Sequence, residues 1–162
     1  MNASLGSAVV VTASDRASQG VYADRSGPLA AAGLAGMGFQ VGPVQVVPDG
    51  QPVAEAITAA VAAGASVVVT TGGTGLGPRD LTPEVTAPLL TRELPQLAAL
   101  IARRGIDAGV PTACLSRGLA GMVGQTIVVN LPGSAGGVRD GLAVLEQVLP
   151  HAVDQARGGD HP

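Results

Sequence analysis

Two aspartates, Asp49 and Asp80, each close a loop that follows a run of apolar residues, the first in VPD and the second in TTGGTGLGPRDLTPE. Paired carboxylates on one edge of a fold are the donor set of Mg2+, a hard cation that prefers carboxylate, water and phosphate oxygens. Just before Asp80 lie Gly72, Gly73, Thr74 and Gly75. Residues without a Cβ let successive N–H groups form an anion-binding concavity, and phosphate is its natural guest. Arg79 and Arg117 add forked donors for the same oxygens. Ser14, Asp15 and Ser18 of TASDRAS, Ser116 beside Arg117, and Asn130 to Ser134 (NLPGS, with Pro132 and Gly133) supply further polar groups.

Each residue also has a plainer role open to it. The glycines suit a structural turn, the aspartates a cap, the arginines surface ion pairs, and the serines a brace for their own loops. The loop is neither GxxxxGK[ST], having no lysine, nor the dinucleotide GxGxxG, because GTGLGP has the wrong spacing. His151 and His161 both fall late in the chain, which makes a hydrolytic triad improbable. Cys114 is alone, so no intramolecular disulfide forms, and its type suggests a small core residue.

The elements that must position these loops can be read from apolar patterning. Ala8 to Ala13, Ser66 to Thr71 and Thr126 to Leu131 read as buried strands, the last with a hairpin partner over Gly121 to Val123. Phe39 to Val47 reads as a strand weakened or bulged at Gly42-Pro43. Helices are expected over Pro28 to Met37, over Gln51 to Gly64 (Val53, Ala56, Ile57, Ala60 and Val61 on one face), and around Leu97, Leu100 and Ile101. Thr82 is placed to cap a helix starting at Pro83. A last helix follows Ser134, with Val138, Leu142, Leu145 and Leu149 spaced for burial, before a frayed tail over 158–162.

Strands alternating with helices imply an α/β fold with a mostly parallel sheet covered on both faces, here in one domain spanning 1–162. The carboxyl ends of parallel strands open onto one edge, where such folds place ligands. TASDRAS, VPD, the glycine loop and NLPGS would then share a crevice.

Composition narrows the partners. Nine arginines, no lysine, a net charge of −3 and only Tyr22 and Phe39 as aromatics leave no electrostatic or stacking platform for nucleic acid. Absent lysine also excludes Schiff-base chemistry. Charged residues are 13% of the chain, about half the usual fraction, which fits a surface partly hidden between subunits. The opening MNASLGS has no basic stretch, and no apolar run is long enough for a span, so a cytoplasmic protein with no membrane partner is expected.

Taken together, TTGGTGLGPRDLTPE, SDRASQGVYADRSG, VPD, LSRGLAG and NLPGS resemble the molybdopterin adenylyltransferases of molybdenum-cofactor synthesis, a family that includes the G domains of plant and animal cofactor-insertion proteins. The likeness runs nearly end to end and in order. It implies the three-layer α/β/α molybdopterin-binding fold. It further implies adenylyl transfer from ATP to molybdopterin with Mg2+ and release of pyrophosphate, usually by a homotrimer, with a molybdenum-insertion protein as a further partner. In this reading Asp49 and Asp80 are catalytic and hold the metal. Ser14, Asp15, Gly72, Gly73, Thr74, Gly75, Arg79, Ser116, Arg117, Asn130, Pro132, Gly133 and Ser134 line the substrate crevice. The chain departs from many relatives in carrying Ala135 and Gly136 where a proline or basic residue is common. Its compact length is closer to a sister branch whose members can bind molybdopterin without all being proven adenylyltransferases. A binding-only carrier and a nucleotide hydrolase on the same fold are the alternatives.

Overall fold

The computed structural model describes residues 4–160. The first residues of MNASLGS, and His161 and Pro162 of the expected frayed tail, lie outside them. Gly158 and Gly159 donate to the carbonyls of Gln155 and Asp154, so the tail is tied down at least that far.

The strands are β1 (Ser7–Ala13), β2 (Gln40–Val41), β3 (Gln45–Val47), β4 (Val67–Thr71), β5 (Arg92–Glu93), β6 (Ala120–Val123) and β7 (Thr126–Leu131). They form one sheet in the order β2-β1-β4-β7-β6-β5, and β3 pairs with β1 beyond β2. The strand expected from Phe39 to Val47 is therefore two short pieces. Both run parallel to β1, interrupted over 42–44 where Gly42-Pro43 breaks the ladder. Pairings β1–β4 and β4–β7 are parallel, whereas β7–β6 and β6–β5 are antiparallel. The expected hairpin is present.

The helices are α1 (Asp15–Ser18), α2 (Ser26–Met37), α3 (Gln51–Ala62), α4 (Thr82–Thr86), α5 (Pro95–Asp107) and α6 (Ala135–Ala156). Successive strand residues point to opposite faces, so the sheet feeds two cores. Val67, Val69, Ile127, Val129 and Leu131 meet Leu34 of α2, Ile101 of α5 and Leu145 and Leu149 of α6. Val68 and Val128 face the other way, against Val53, Ile57 and Ala60 of α3. Three layers result.

Close approach is required at Gly141, where a Cβ would come within 2.5 Å of Leu131. Its bare Cα lets α6 lie on β7, and that contact fixes where the N-terminus of α6 meets the strand ends. The helix expected around Leu97, Leu100 and Ile101 is α5, whereas the expectation of a core Cys114 fails. Cys114 is exposed, in the 3-10 segment Pro111–Leu115. Leu100 faces outward, because the buried stripe of α5 runs through Ile101 and Gly105.

Candidate active site

The parallel strands β1, β3, β4 and β7 end on one edge, and the loops that follow them build two adjoining hollows. One, of about 570 Å3, lies between the glycine loop, α5 with its following 3-10 segment, and the start of α6; Ile101, Ala113 and Leu115 give it an apolar wall. The other, of about 1010 Å3, lies between the β1–α2 loop, Asp49 and the 77–80 turn, and is bordered by Ser14, Asp15, Arg16, Arg25 and Arg79. Gly72, Gly73, Asp80 and Gly133 line both, so the hollows meet along a seam.

Backbone geometry explains the glycines at the seam. Gly72 and Gly73 adopt φ +87° and +69°, a region side chains rarely enter. A Cβ on Gly72 would strike the carbonyl oxygen of Ala13, and one on Gly73 would overlap the Asp49 carboxylate and the Thr82 hydroxyl. Gly72 donates its N–H to Leu131. The amides of Gly73, Thr74 and Gly75 have no protein acceptor among the described residues, which leaves them to a ligand anion. The N-terminus of α6 borders both hollows, and its unsatisfied amides add positive potential. Ser134 caps that helix by accepting from Gly137 at 3.0 Å.

The two aspartates occupy different situations. Asp49 accepts from the Gly50 amide at 2.7 Å, the Thr82 hydroxyl at 2.8 Å and the Leu81 amide at 3.0 Å. It clamps the glycine loop. This is where the expected Thr82 cap is corrected: Leu81 is the cap residue of α4, and Thr82 turns its hydroxyl to Asp49 instead. Asp80 accepts only from Gly77, at 2.9 Å through Oδ2, and its Oδ1 has no protein donor among the described residues. Both carboxylates border the larger hollow. Among the described residues no three His, Cys, Asp or Glu groups gather as a metal cage. Two carboxylates bordering one open hollow fit Mg2+, which keeps several waters and takes substrate phosphates as ligands.

Several candidates are brought together but turned inward. Arg117 threads the glycine loop, donating from Nε to Gly75 O and from Nη2 to Asp80 O, both at 2.9 Å, with its remaining nitrogen on Glu84. The fork expected for a ligand is thus filled by the loop that Arg117 shapes. Asn130 donates to Thr70 and Thr86 and accepts from Leu119. Ser116 donates to Thr74. Ser14 caps α1 and shares a 3.0 Å hydrogen bond with Tyr22, while Asp15 accepts from the Asp49 amide. Arg79 is the contrary case: its side chain is 86% exposed at the border of the larger hollow, 3.9 Å from Asp15.

Glu84 titrates below its ordinary value of 4.5, chiefly because Arg117 donates to its ionised form. Depression of a carboxyl pKa contributes stability that is complete above the ordinary value and lost as pH falls through the lowered one. Both side chains are more than a third exposed, so solvent screens the pair. Above pH 4.5, where the contribution is complete, Glu84→Gln is expected to lower the melting temperature slightly, and to make the fall toward more acid pH shallower.

Residues 9–151 match the family described as "Probable molybdopterin binding domain". The chain belongs to that family. This molybdopterin-binding domain is 39% identical over 154 residues to a "Molybdenum cofactor biosynthesis bifunctional protein" of Chlorobaculum tepidum, covering 94% of this chain but 49% of that one. It spans about half the length of such relatives. It is also 38% identical over 153 residues to a "Molybdopterin adenylyltransferase" of Pyrococcus furiosus, covering 91% of this chain and 89% of that one. The solved structure of the molybdopterin biosynthesis Mog protein from Mycobacterium ulcerans superposes with a TM-score of 0.88 at 50% identity, covering 93% of this chain and 98% of that one.

Reasoning from sequence overlooked a closed polar ring in this molybdopterin-binding domain. Thr71 donates to Thr12 at 3.3 Å, Thr12 donates to Asp24 at 2.8 Å, and Ser26 lies 2.9 Å from Thr71. Ser26 closes the ring by donating to Asp24 at 3.4 Å, and either hydroxyl of the Ser26–Thr71 pair can be the donor between them. Asp24 also accepts from the Gly27 amide. The signal was available in ADRSG, where an acid stands three residues before a helical N–H.

Proposed function

We propose that this domain transfers the adenylyl group of ATP to the terminal phosphate of molybdopterin and releases pyrophosphate. The seam carries this reading: two hollows of unlike character share Gly72, Gly73, Asp80 and Gly133, so two ligands can bring their phosphates to one place. The smaller, apolar-walled hollow suits the flat pterin, and the larger polar one suits the nucleotide. Free amides of Gly73, Thr74 and Gly75 and the start of α6 hold phosphate oxygens at the seam. Asp49 keeps that loop in shape, and Arg79 reaches over the nucleotide side. Fixing both phosphates in line converts a two-body encounter into a local one, the main source of rate in phosphoryl chemistry. The acceptor oxygen then bonds to the α-phosphorus as the bond to the bridging oxygen breaks, and pyrophosphate departs with that electron pair. Mg2+, held by Asp80 with Asp49 beside it, would supply charge neutralisation between the two anions.

The same reading takes the protein as cytoplasmic, acting as a homotrimer and passing its product to a molybdenum-insertion protein. Exposed Leu76, Val110 and Leu115 around the smaller hollow support a further subunit contact. Among the described residues no helix is long and apolar enough to cross a membrane.

Purified protein mixed with molybdopterin, Mg2+ and ATP tests the proposal. Adenylylated pterin and pyrophosphate in equal amounts support it. Pterin binding without product would replace it with a carrier, and ATP breakdown that needs no pterin would replace it with a hydrolase.

A further inference from the structure

Asp140 lies on the first turns of α6, half-buried in the wall of the smaller hollow, opposite Gly105 of α5. A Cβ on Gly105 would collide with Ala113 at 2.7 Å and lie 3.9 Å from Asp140 Oδ2, so the bare Cα serves the Ala113 contact while the carboxylate lies within van der Waals reach of α5. Asp140 has no hydrogen-bond or ion-pair partner among the described residues, and no arginine neutralises it. Other polar side chains of this hollow are largely committed: Ser116 to Thr74, Asn130 to three partners, and Ser134 to its own helix. Asp80, the second carboxylate here, belongs to the seam with the other hollow. Away from the seam, this apolar-walled hollow therefore presents one anionic, acceptor-only group.

We propose that Asp140 is the specificity residue for the pterin ring, its two oxygens accepting the adjacent N3–H and 2-amino N–H of the aminopyrimidinone edge. The inference rests on the assignment of this hollow to molybdopterin. A carboxylate facing two parallel N–H donors is the geometry that makes paired charge-assisted hydrogen bonds strong and selective. The low-dielectric wall of Ile101 and Ala113 strengthens them further. Placed so, the ring lies away from the seam, and the phosphate reaches back to the free amides there.

Exchanging the carboxylate for a carboxamide gives a test that a merely structural role would not satisfy. Asn offers one acceptor and one donor, which matches the edge of a lumazine, where a 2-oxo group replaces the 2-amino group. Fluorescence titration of the whole protein with 6-hydroxymethylpterin and 6-hydroxymethyllumazine should show the parent preferring the pterin by about 10- to 100-fold. Asp140→Asn should reverse that order. Asp140→Ala should bind both more weakly with little preference, while ATP affinity stays unchanged in every variant. An Asp140→Asn protein that still favours the pterin as the parent does would overturn the inference and leave the proposed function standing. A parent protein that binds neither pteridine nor molybdopterin would overturn both.

Discussion

Asp80→Asn is expected to lower the rate of adenylyl transfer by about 10^2- to 10^3-fold, the usual cost of removing one group that stabilises charge at a reacting centre. Pterin affinity should change by less than about threefold, since the pterin contacts lie away from the seam. The substitution isolates charge from shape. Gly77 donates to Asp80 at 2.9 Å, and the carboxamide oxygen of Asn can accept the same hydrogen bond. The 77–80 turn is therefore retained, and the melting temperature should stay within about 2 °C of the parent. Single-turnover assays with saturating ATP and Mg2+ read the rate directly. Activity within a few fold of the parent would remove Asp80 from the reaction.

Asp49→Asn should behave differently, with a loss of both stability and activity. Its carboxylate takes donors from two sides, the Gly50 amide and Thr82 hydroxyl on Oδ1 and the Leu81 amide on Oδ2. Whichever way the new amide turns, its NH2 faces one or more of those donors. A donor left without an acceptor costs about 1–3 kcal/mol. For a chain of this size that lowers the melting temperature by about 2–10 °C. Because Leu81 is the residue after Asp80, slack at this clamp also displaces the carboxylate at the seam, and transfer should fall with it. Thermal melts of the parent and the two Asn variants, recorded together, separate the roles. Identical melting temperatures for all of them would contradict the clamp.

Much of this architecture could be read from residue patterning. Apolar runs in β1, β4 and β7 mark strands buried on both faces, and the period of Val53, Ala56, Ile57 and Ala60 marks α3. Ser134 announced the start of α6 because a hydroxyl before a helix has a definite acceptor role. What escaped depends on partners distant in sequence. Arg92–Glu93 is too short to show a period and is a strand only because Gly121 and Met122 lie beside it. Thr82 has the type and position of a cap, yet Asp49, 33 residues earlier, captures its hydroxyl. Arg117 looks like a ligand-binding arginine until the carbonyls of Gly75 and Asp80 close around it. The placement of Asp49 and Asp80 along one hollow was anticipated from strand ends alone, whereas the division of labour between them required the hydrogen bonds.

The shared border of the two hollows bears on how the reaction ends. Under the proposed assignment the product is one covalent molecule whose halves occupy both chambers, so neither half can escape without the other letting go. Tethering of this kind raises avidity far above that of either fragment. The joined product should outlast pyrophosphate on the protein, and departure of the pterin nucleotide rather than bond formation should limit steady turnover. A synthetic mimic that bridges adenosine to a pterin through a stable phosphonate would inherit the same double grip.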